Sequence, residues 1–193
     1  MVQEGVLENP RPDAVICCHI WTLTPVGTVD ITAGPVMAAC DDWKVTVRGR
    51  GGHAAIPHTT VDPVVAAAHI VTALQSVVSR NVSPSETAVV TVASIHGGEM
   101  FNVIPDEVEM VGTFRTFDPQ TRETVVRRAQ AVIEGVASAL GAAAPLEVRY
   151  LTPAVINDPA VTAWRAPPRK RCSAWTGSAA ASAPWAPRMR PST

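Results

Sequence analysis

Two dipeptides, Asp62-Pro63 and Asp118-Pro119, constrain this chain more than any other feature. Aspartate before a helix accepts hydrogen bonds from the unpaired amides of the first turn. Proline at the first helical position has no amide to lose, and its φ already suits the helix. Each pair therefore marks a helix start. Behind Asp62-Pro63, Val64, Ala68, Val71, Leu74 and Val78 recur at three- and four-residue spacing; behind Asp118-Pro119, Val125, Ala129, Val132, Val136 and Leu140 do the same, with Gly141 as the C′ residue. Alternating segments flank both stripes. Lys44 to Arg48 places Val45 and Val47 on one face, and Thr87 to Ile95 is rich in β-branched residues. Glu107 to Phe117 puts Val108, Met110, Gly112 and Phe114 on one side, with Glu109, Val111, Thr113 and Arg115 on the other; Leu146, Val148 and Tyr150 close the series. The order βαββαβ is the ferredoxin-like split arrangement: an α+β domain over residues 43–151, with a four-stranded antiparallel sheet and both helices on one face.

The flanks read differently. Asp13 to Ile20 is a short apolar run of the kind found in strands buried on both faces, and Val26 to Thr32 reads as a second strand. Residues 1–42 are thus expected to be pieces of an α/β domain, exposing apolar faces where their partners are absent. Residues 152–193 read as the chain's return to it, but 165–193 contain no Val, Leu, Ile, Phe, Asp or Glu and show no periodicity. That composition suits a disordered tail.

The net charge of −1 argues against a nucleic-acid or anionic-membrane surface as the main partner, and no apolar run approaches the ~20 residues of a membrane helix. Neither a basic n-region nor an apolar h-region opens the chain, and no Cys-x-x-Cys pair is present, so a cytoplasmic protein with free thiols is expected.

Chemistry concentrates in Arg48-Gly49-Arg50-Gly51-Gly52-His53-Ala54-Ala55-Ile56-Pro57-His58, between the first strand and the first helix. Three glycines permit positive φ or close backbone approach. Histidine is the side chain most easily recruited as donor, base or ligand near neutral pH. The glycines do not form a nucleotide-binding loop, because the element order is wrong for a Rossmann unit. His69 falls on or beside the helical stripe and reads as structural; His96 before Gly97-Gly98 is ambiguous.

Five phrases in order extend the reading: Met37-Ala38-Ala39-Cys40-Asp41; Val47 to Ala55; Pro57-His58-Thr59-Thr60-Val61-Asp62-Pro63; Phe101-Asn102-Val103-Ile104-Pro105-Asp106; and Gly112-Thr113-Phe114-Arg115-Thr116-Phe117. Together they resemble the amidohydrolase branch of the metal-dependent aminoacylase/carboxypeptidase family, which includes hippurate hydrolases, N-acyl-amino-acid deacylases and auxin-conjugate hydrolases. The resemblance covers roughly residues 1–160, and the βαββαβ unit corresponds to the family's lid, or dimerisation, domain. It implies hydrolysis of an N-acyl amino acid at a site of two divalent metal ions (zinc, manganese, cobalt or nickel), and a homodimer formed through the lid. By motif, His53 matches the lid histidine that holds the developing oxyanion, often in the neighbouring subunit. Asn102 matches a substrate-binding asparagine, Arg115 a carboxylate clamp, and His19, in Cys17-Cys18-His19-Ile20-Trp21, a metal ligand whose local phrase fits more loosely.

The resemblance also implies what is not in this text. The family's first metal motif and its catalytic glutamate would lie before Met1, and its last histidine ligand beyond Thr193. The expectation is a fragment that is inactive alone. From the third base of the Pro184 codon, a shifted frame permits Met-Gly-Ala-Glu-Asp-Ala-Ser-Phe, which resembles a downstream family phrase. Residues from about Trp164 onward therefore read as out of frame, with the disordered tail as the alternative. Two other classes stay open: a non-catalytic dimerisation module, and a ferredoxin-like small-molecule or RNA-binding domain, the last disfavoured by the lack of stacking aromatics.

Overall fold

Asp62 Oδ1 accepts hydrogen bonds from the amides of Val64 (2.8 Å) and Val65 (3.3 Å), opening α1 (Pro63–Asn81). Asp118 Oδ2 accepts one from Thr121 (2.7 Å), opening α2 (Pro119–Ala139). Gly141, at φ 78°, ends α2 as a Schellman cap: its amide donates to Ser138 O and that of Ala142 to Ala137 O. This computed structural model describes residues 2–23, 25 and 29–165. The chain divides into two compact units, Met37–Val155 and a second drawn from Met1–Val36 and Ile156–Thr193.

The strands are β1 (Gly34–Met37), β2 (Cys40–Arg48), β3 (Gly52–His53), β4 (Ala88–His96), β5 (Val103–Ile104), β6 (Glu107–Thr116), β7 (Leu146–Thr152) and β8 (Val155–Asn157); a short α3 spans Pro159–Arg165. The main sheet runs β4-β6-β2-β7 with antiparallel neighbours, and β1–β8 and β3–β5 form separate two-stranded sheets. Taking the main sheet and its two helices alone, the order βαββαβ with β2 and β6 central is the split arrangement expected.

The core lies between the sheet and the two helices. Trp43, Val45 and Val47 of β2 and Val108, Met110 and Phe114 of β6 are buried against Ile70, Leu74 and Val77 of α1 and Val125, Ala129 and Ile133 of α2. Trp43 and Phe114 stack with ring centroids 5.9 Å apart. Trp43 has room because Gly112 faces it; a β-carbon there would overlap both the indole and the carbonyl oxygen of Thr91. Cross-strand residue β-branching does the rest, and the register slips between Val92 and Ser94, a bulge in the edge strand β4.

The phase of α1 differs from the sequence reading. Its buried face is Pro63, Ala66, Ala67, Ile70, Leu74 and Val77, whereas Val64 and Ala68 are exposed. Pro63 to Ala68 is apolar all round, so periodicity there could not choose a face; Ile70 and Val77 choose it. In α2 the buried line is Thr121, Val125, Ala129, Ile133 and Ala137, with Val132 and Val136 half-buried and Leu140 exposed.

One charge lies inside the core. Asp41, 1% exposed, is gripped by Arg122 of α2 through Nε (2.7 Å to Oδ2) and Nη2. The same guanidinium lies 4.5 Å over the Tyr150 ring. This fork ties β2, α2 and β7 together at one end of the sheet, and hydrogen bonding to Asp41 pushes the Arg122 pKa up.

In the second unit, Asp13–Ile20 forms no strand, and neither does 29–32, the described part of the expected Val26–Thr32 strand. A strand needs a ladder of backbone hydrogen bonds to a neighbour, and neither segment is paired in one among the described residues. Their apolar side chains are left in solvent: Val15 is 70% and Ile20 91% exposed. The out-of-frame reading from Trp164 lies almost wholly outside the described residues, reaching only the end of α3. Among the described residues no helix is long and apolar enough to cross a membrane.

Two substitutions test this core by urea denaturation. Gly112→Ala is expected to cost about 3 kcal/mol or to prevent folding, because the Thr91 carbonyl cannot move aside. Arg122→Met is expected to cost about 3–5 kcal/mol by stranding a buried carboxylate, and adding Asp41→Leu should recover most of the loss.

Candidate functional site

The glycine-rich loop after β2 is shaped by close approach. Gly49, Gly51 and Gly52 all lie outside the positive-φ region. A β-carbon on Gly49 would overlap the Val61 carbonyl, one on Gly51 would sit 2.5 Å from Ile104 O, and one on Gly52 2.8 Å from Thr60 Cγ2. Two backbones lie against the loop. On one side Arg50 and Val61 exchange backbone hydrogen bonds of 2.9 Å. On the other, Asp106 accepts from Gly49 N through its carbonyl (2.8 Å) and from Gly51 N through Oδ1 (2.9 Å). Asp106 closes the sequence Phe101–Asp106, and its bond to Gly51, 55 residues away, leaves no local signal in the sequence.

That clamp sets the β3–β5 ribbon. Gly52 pairs with Ile104 and His53 with Val103, and the Ala54 amide donates to Asn102 O at 3.0 Å. His53 and Asn102 are thereby carried on one exposed ribbon, His53 opposite Val103 and Asn102 bonded through its carbonyl to Ala54. His53 Nδ1 accepts from the Ala55 amide at 3.1 Å. A ring nitrogen that accepts carries no proton, so the neutral imidazole has its proton on Nε2. His53 therefore offers an oriented N–H donor to solvent, the requirement for stabilising a developing oxyanion.

Arg115 is elsewhere. It lies on β6 opposite Val89, near the far end of the strand from Asp106. The strand between Glu107 and Arg115 spans roughly 27 Å. Along the sheet the open face is laced with ion pairs: Lys44–Glu109, Arg48–Glu107 and Arg149–Asp42. The hydrogen bond from Arg149 holds the Asp42 carboxyl below its ordinary pKa, and that to Glu109 raises the Lys44 ammonium. Arg115 stands outside these pairs and is half-buried.

The remaining histidines do not converge on His53. His58 is exposed in the 3₁₀ turn Pro57–Thr59, and His96 ends β4 opposite Glu109. His69 is exposed on α1, above a shallow groove lined by Thr72, Ala73, Val136, Ala139 and Leu140, so it is not a core residue. His19, in the second unit, is exposed with Nδ1 2.6 Å from Ile20 O and its ring edge-on to Trp21. Among the described residues no three His, Cys, Asp or Glu side chains cluster in a way that could hold a metal ion. One imidazole is not a divalent-metal site, and the described donors do not fit one.

Comparison with known proteins gives the same outline. A family model for the M20 peptidase dimerisation domain matches residues 41–139. The N-acetyl-L-cysteine deacetylase of Bacillus subtilis (strain 168) is 43% identical over 162 residues, which is 84% of this chain and 38% of the relative. The N-acyl-L-amino acid amidohydrolase of Geobacillus stearothermophilus is 41% identical over 157 residues, 81% of this chain and 42% of the relative. Among solved structures, a protein from methicillin-resistant Staphylococcus aureus, provisionally described as an aminohydrolase, has 37% identity and a TM-score of 0.75 over 84% of this chain and 43% of its own. The Bacillus subtilis YXEP protein, described as a dinuclear metal binding peptidase from the M20 family, has 34% identity and a TM-score of 0.54 over 70% and 32%. The chain spans about two-fifths of the length of these curated relatives.

The Asp106 clamp is open to direct measurement. Asp106→Ala is expected to speed hydrogen exchange at the Gly51 and Ala54 amides by about tenfold, while the α1 and α2 amides stay protected. Unchanged exchange at Ala54 would show that the ribbon holds without the carboxylate.

Proposed function

The chain belongs to the M20 peptidase dimerisation domain family, and we propose that it serves as the lid and dimerisation part of a metal-dependent amidohydrolase acting on N-acyl amino acids, hippurate-like compounds among them. The observation that carries this reading is the ribbon that holds His53, with its proton on Nε2, and brings Asn102 onto the same short stretch of backbone. In the proposed reaction Nε2–H donates to the oxygen of the amide carbonyl as that oxygen gains charge, and Asn102 holds the substrate next to it. Arg115 takes the substrate carboxylate in a charge-assisted pair.

Roughly 27 Å of strand separates Arg115 from the ribbon, too far for both to touch one small substrate. We therefore assign them to two different sites of a homodimer, His53 and Asn102 of one protomer reaching across to the site that Arg115 of the other serves. The edge strand β4 is the pairing surface in this reading. It carries no Asp, Glu, Lys or Arg over Ala88–His96 and forms no ladder on its outer side among the described residues. Beside it α1 exposes Val64 and Val65.

In the whole enzyme, divalent metal ions held mostly by residues other than those described would supply Lewis-acid chemistry. His19 would be one ligand by its motif; residues 1–36 and 156–165 are then pieces of a catalytic domain. Because the described residues lack the rest of a ligand set, this chain is read as inactive alone. Exposed, unpaired Cys17 and Cys18 support a reducing, cytoplasmic setting.

A graft tests the activity. Residues 37–155 replacing the corresponding domain of the Geobacillus amidohydrolase should give a chimera that hydrolyses N-acyl amino acids, and His53→Ala within it should lower kcat by about 10²–10³-fold. A mixture of His53→Ala and Arg115→Ala chimeras should regain activity that neither has alone; failure to regain it would mean the site is not shared. An active chimera indifferent to His53→Ala would favour the non-catalytic dimerisation module instead. For the interface, sedimentation should show a dimer that Val89→Lys with Thr91→Lys converts to monomer. Dimers that survive the double substitution would move the interface away from β4.

A further inference from the structure

His53 is flanked by two turns. One closes through Ile56 N to His53 O at 3.0 Å, the other through Val103 N to Met100 O at 3.5 Å. The second turn carries Phe101 and Asn102 at its apex, and Phe101 is 95% exposed. Met100 is 61% exposed, and Ile56 and Val103 are each about half exposed. Turn apices favour Gly, Pro, Asn, Asp and Ser, each for a backbone reason. Phenylalanine has no such reason here, and it buries nothing in its own domain. Nor is the patch an arbitrary piece of surface. It shares the short ribbon that carries the His53 imidazole, to which the β3–β5 ladder and the Ala54–Asn102 hydrogen bond tie it. A few polar groups converging within an apolar rim is the composition of a ligand site.

We propose that Phe101, with Ile56, Met100 and Val103, is the acyl-recognising surface of the site and selects N-acyl amino acids bearing bulky apolar acyl groups over N-acetyl ones. This rests on the reading of His53 and Asn102 as substrate-site residues. Its chemistry follows from connectivity. The acyl chain and the amide nitrogen are both bonded to the carbonyl carbon whose oxygen His53 holds, so the surface around that donor faces one end of the substrate or the other. The amino-acid end carries a carboxylate, which these four side chains cannot match and for which Arg115 is the suitable cation. Phe101 supplies an aromatic face to an aliphatic or benzoyl group and no hydrogen bond, so it discriminates by apolar contact.

Ligand-observed saturation-transfer NMR on the purified chain separates the possibilities, because it reads weak binding without turnover. The ligands are N-acetylglycine, N-hexanoylglycine, N-benzoylglycine and N-acetylphenylalanine. The hexanoyl and benzoyl compounds are expected to bind about tenfold more tightly than N-acetylglycine, in line with what a few apolar groups contribute to discrimination. Phe101→Ala should reduce that preference to less than about twofold and Phe101→Leu should keep most of it, while His53→Ala weakens all the N-acylglycines together. If Phe101→Ala leaves the acyl preference intact, or instead changes only the binding of N-acetylphenylalanine, the acyl assignment is overturned while the substrate-site reading stands. If the wild-type chain gives no signal with any ligand, or His53→Ala alters none, the substrate-site reading falls and the acyl assignment falls with it.

Discussion

The fold depends on a vacancy. At the middle of β6 the side chain is missing, and into that space goes the largest side chain of the core. Gly112 lies under Trp43 while Thr91 of β4 presses its carbonyl from the far side. Three strands of the sheet therefore meet at one residue. Trp43 in turn stacks on Phe114 and fills the gap between the helices and the sheet, so the spacing of both layers is set there. Asp41, one step along the same face of β2, adds a polar lock at the sheet's end through Arg122. Size and direction are thus fixed by two residues of β2, and the other strands fit themselves around it.

The ribbon that carries His53 obeys a different logic. It adds no strand to the main sheet and little to the core. Its shape comes from backbone pressed against backbone, with Gly49, Gly51 and Gly52 removing the side chains that would hold the chains apart. Asp106 then takes the two amides that such a tight loop would otherwise leave unpaired. The result is a rigid support for a polar group standing outside the packed layers, where it can meet something that its own domain does not provide.

Much of this was legible in the residues. The two Asp-Pro pairs, the alternation in 107–117 and the glycine after Leu140 are local signals, each tied to a single backbone requirement, and they yielded the element order and hence the sheet. The phase of α1 was not legible, because Pro63 to Ala68 offers apolar side chains in every direction and only packing selects among them. The strand expected in 13–20, and the described part, 29–32, of the second, show the converse limit. Apolar composition there was a real signal, but strand structure belongs to a pair of segments, and one member gives no ladder. At the site, motif identified His53 and Asn102 as related. It could not say that Asp106 holds their loop, that His53 presents Nε2–H, or that Arg115 lies a whole strand away, since each of these is a distance between segments remote in sequence.

The register of the central strands has a consequence for synthesis. Asp41 pairs with Phe114 and, on its other side, with Tyr150. β2 therefore leaves the ribosome roughly 70 residues before its first neighbour and about 110 before its second, a wait of several seconds or more at ~5–20 residues per second. During that interval a strand carrying Trp43, Val45 and Val47 has no sheet to join. The nearest structure available to it is α1, which can form from local contacts and present Ile70, Leu74 and Val77. The nascent domain is thus a strand resting on a helix, and its main hazard is another nascent copy on the same message.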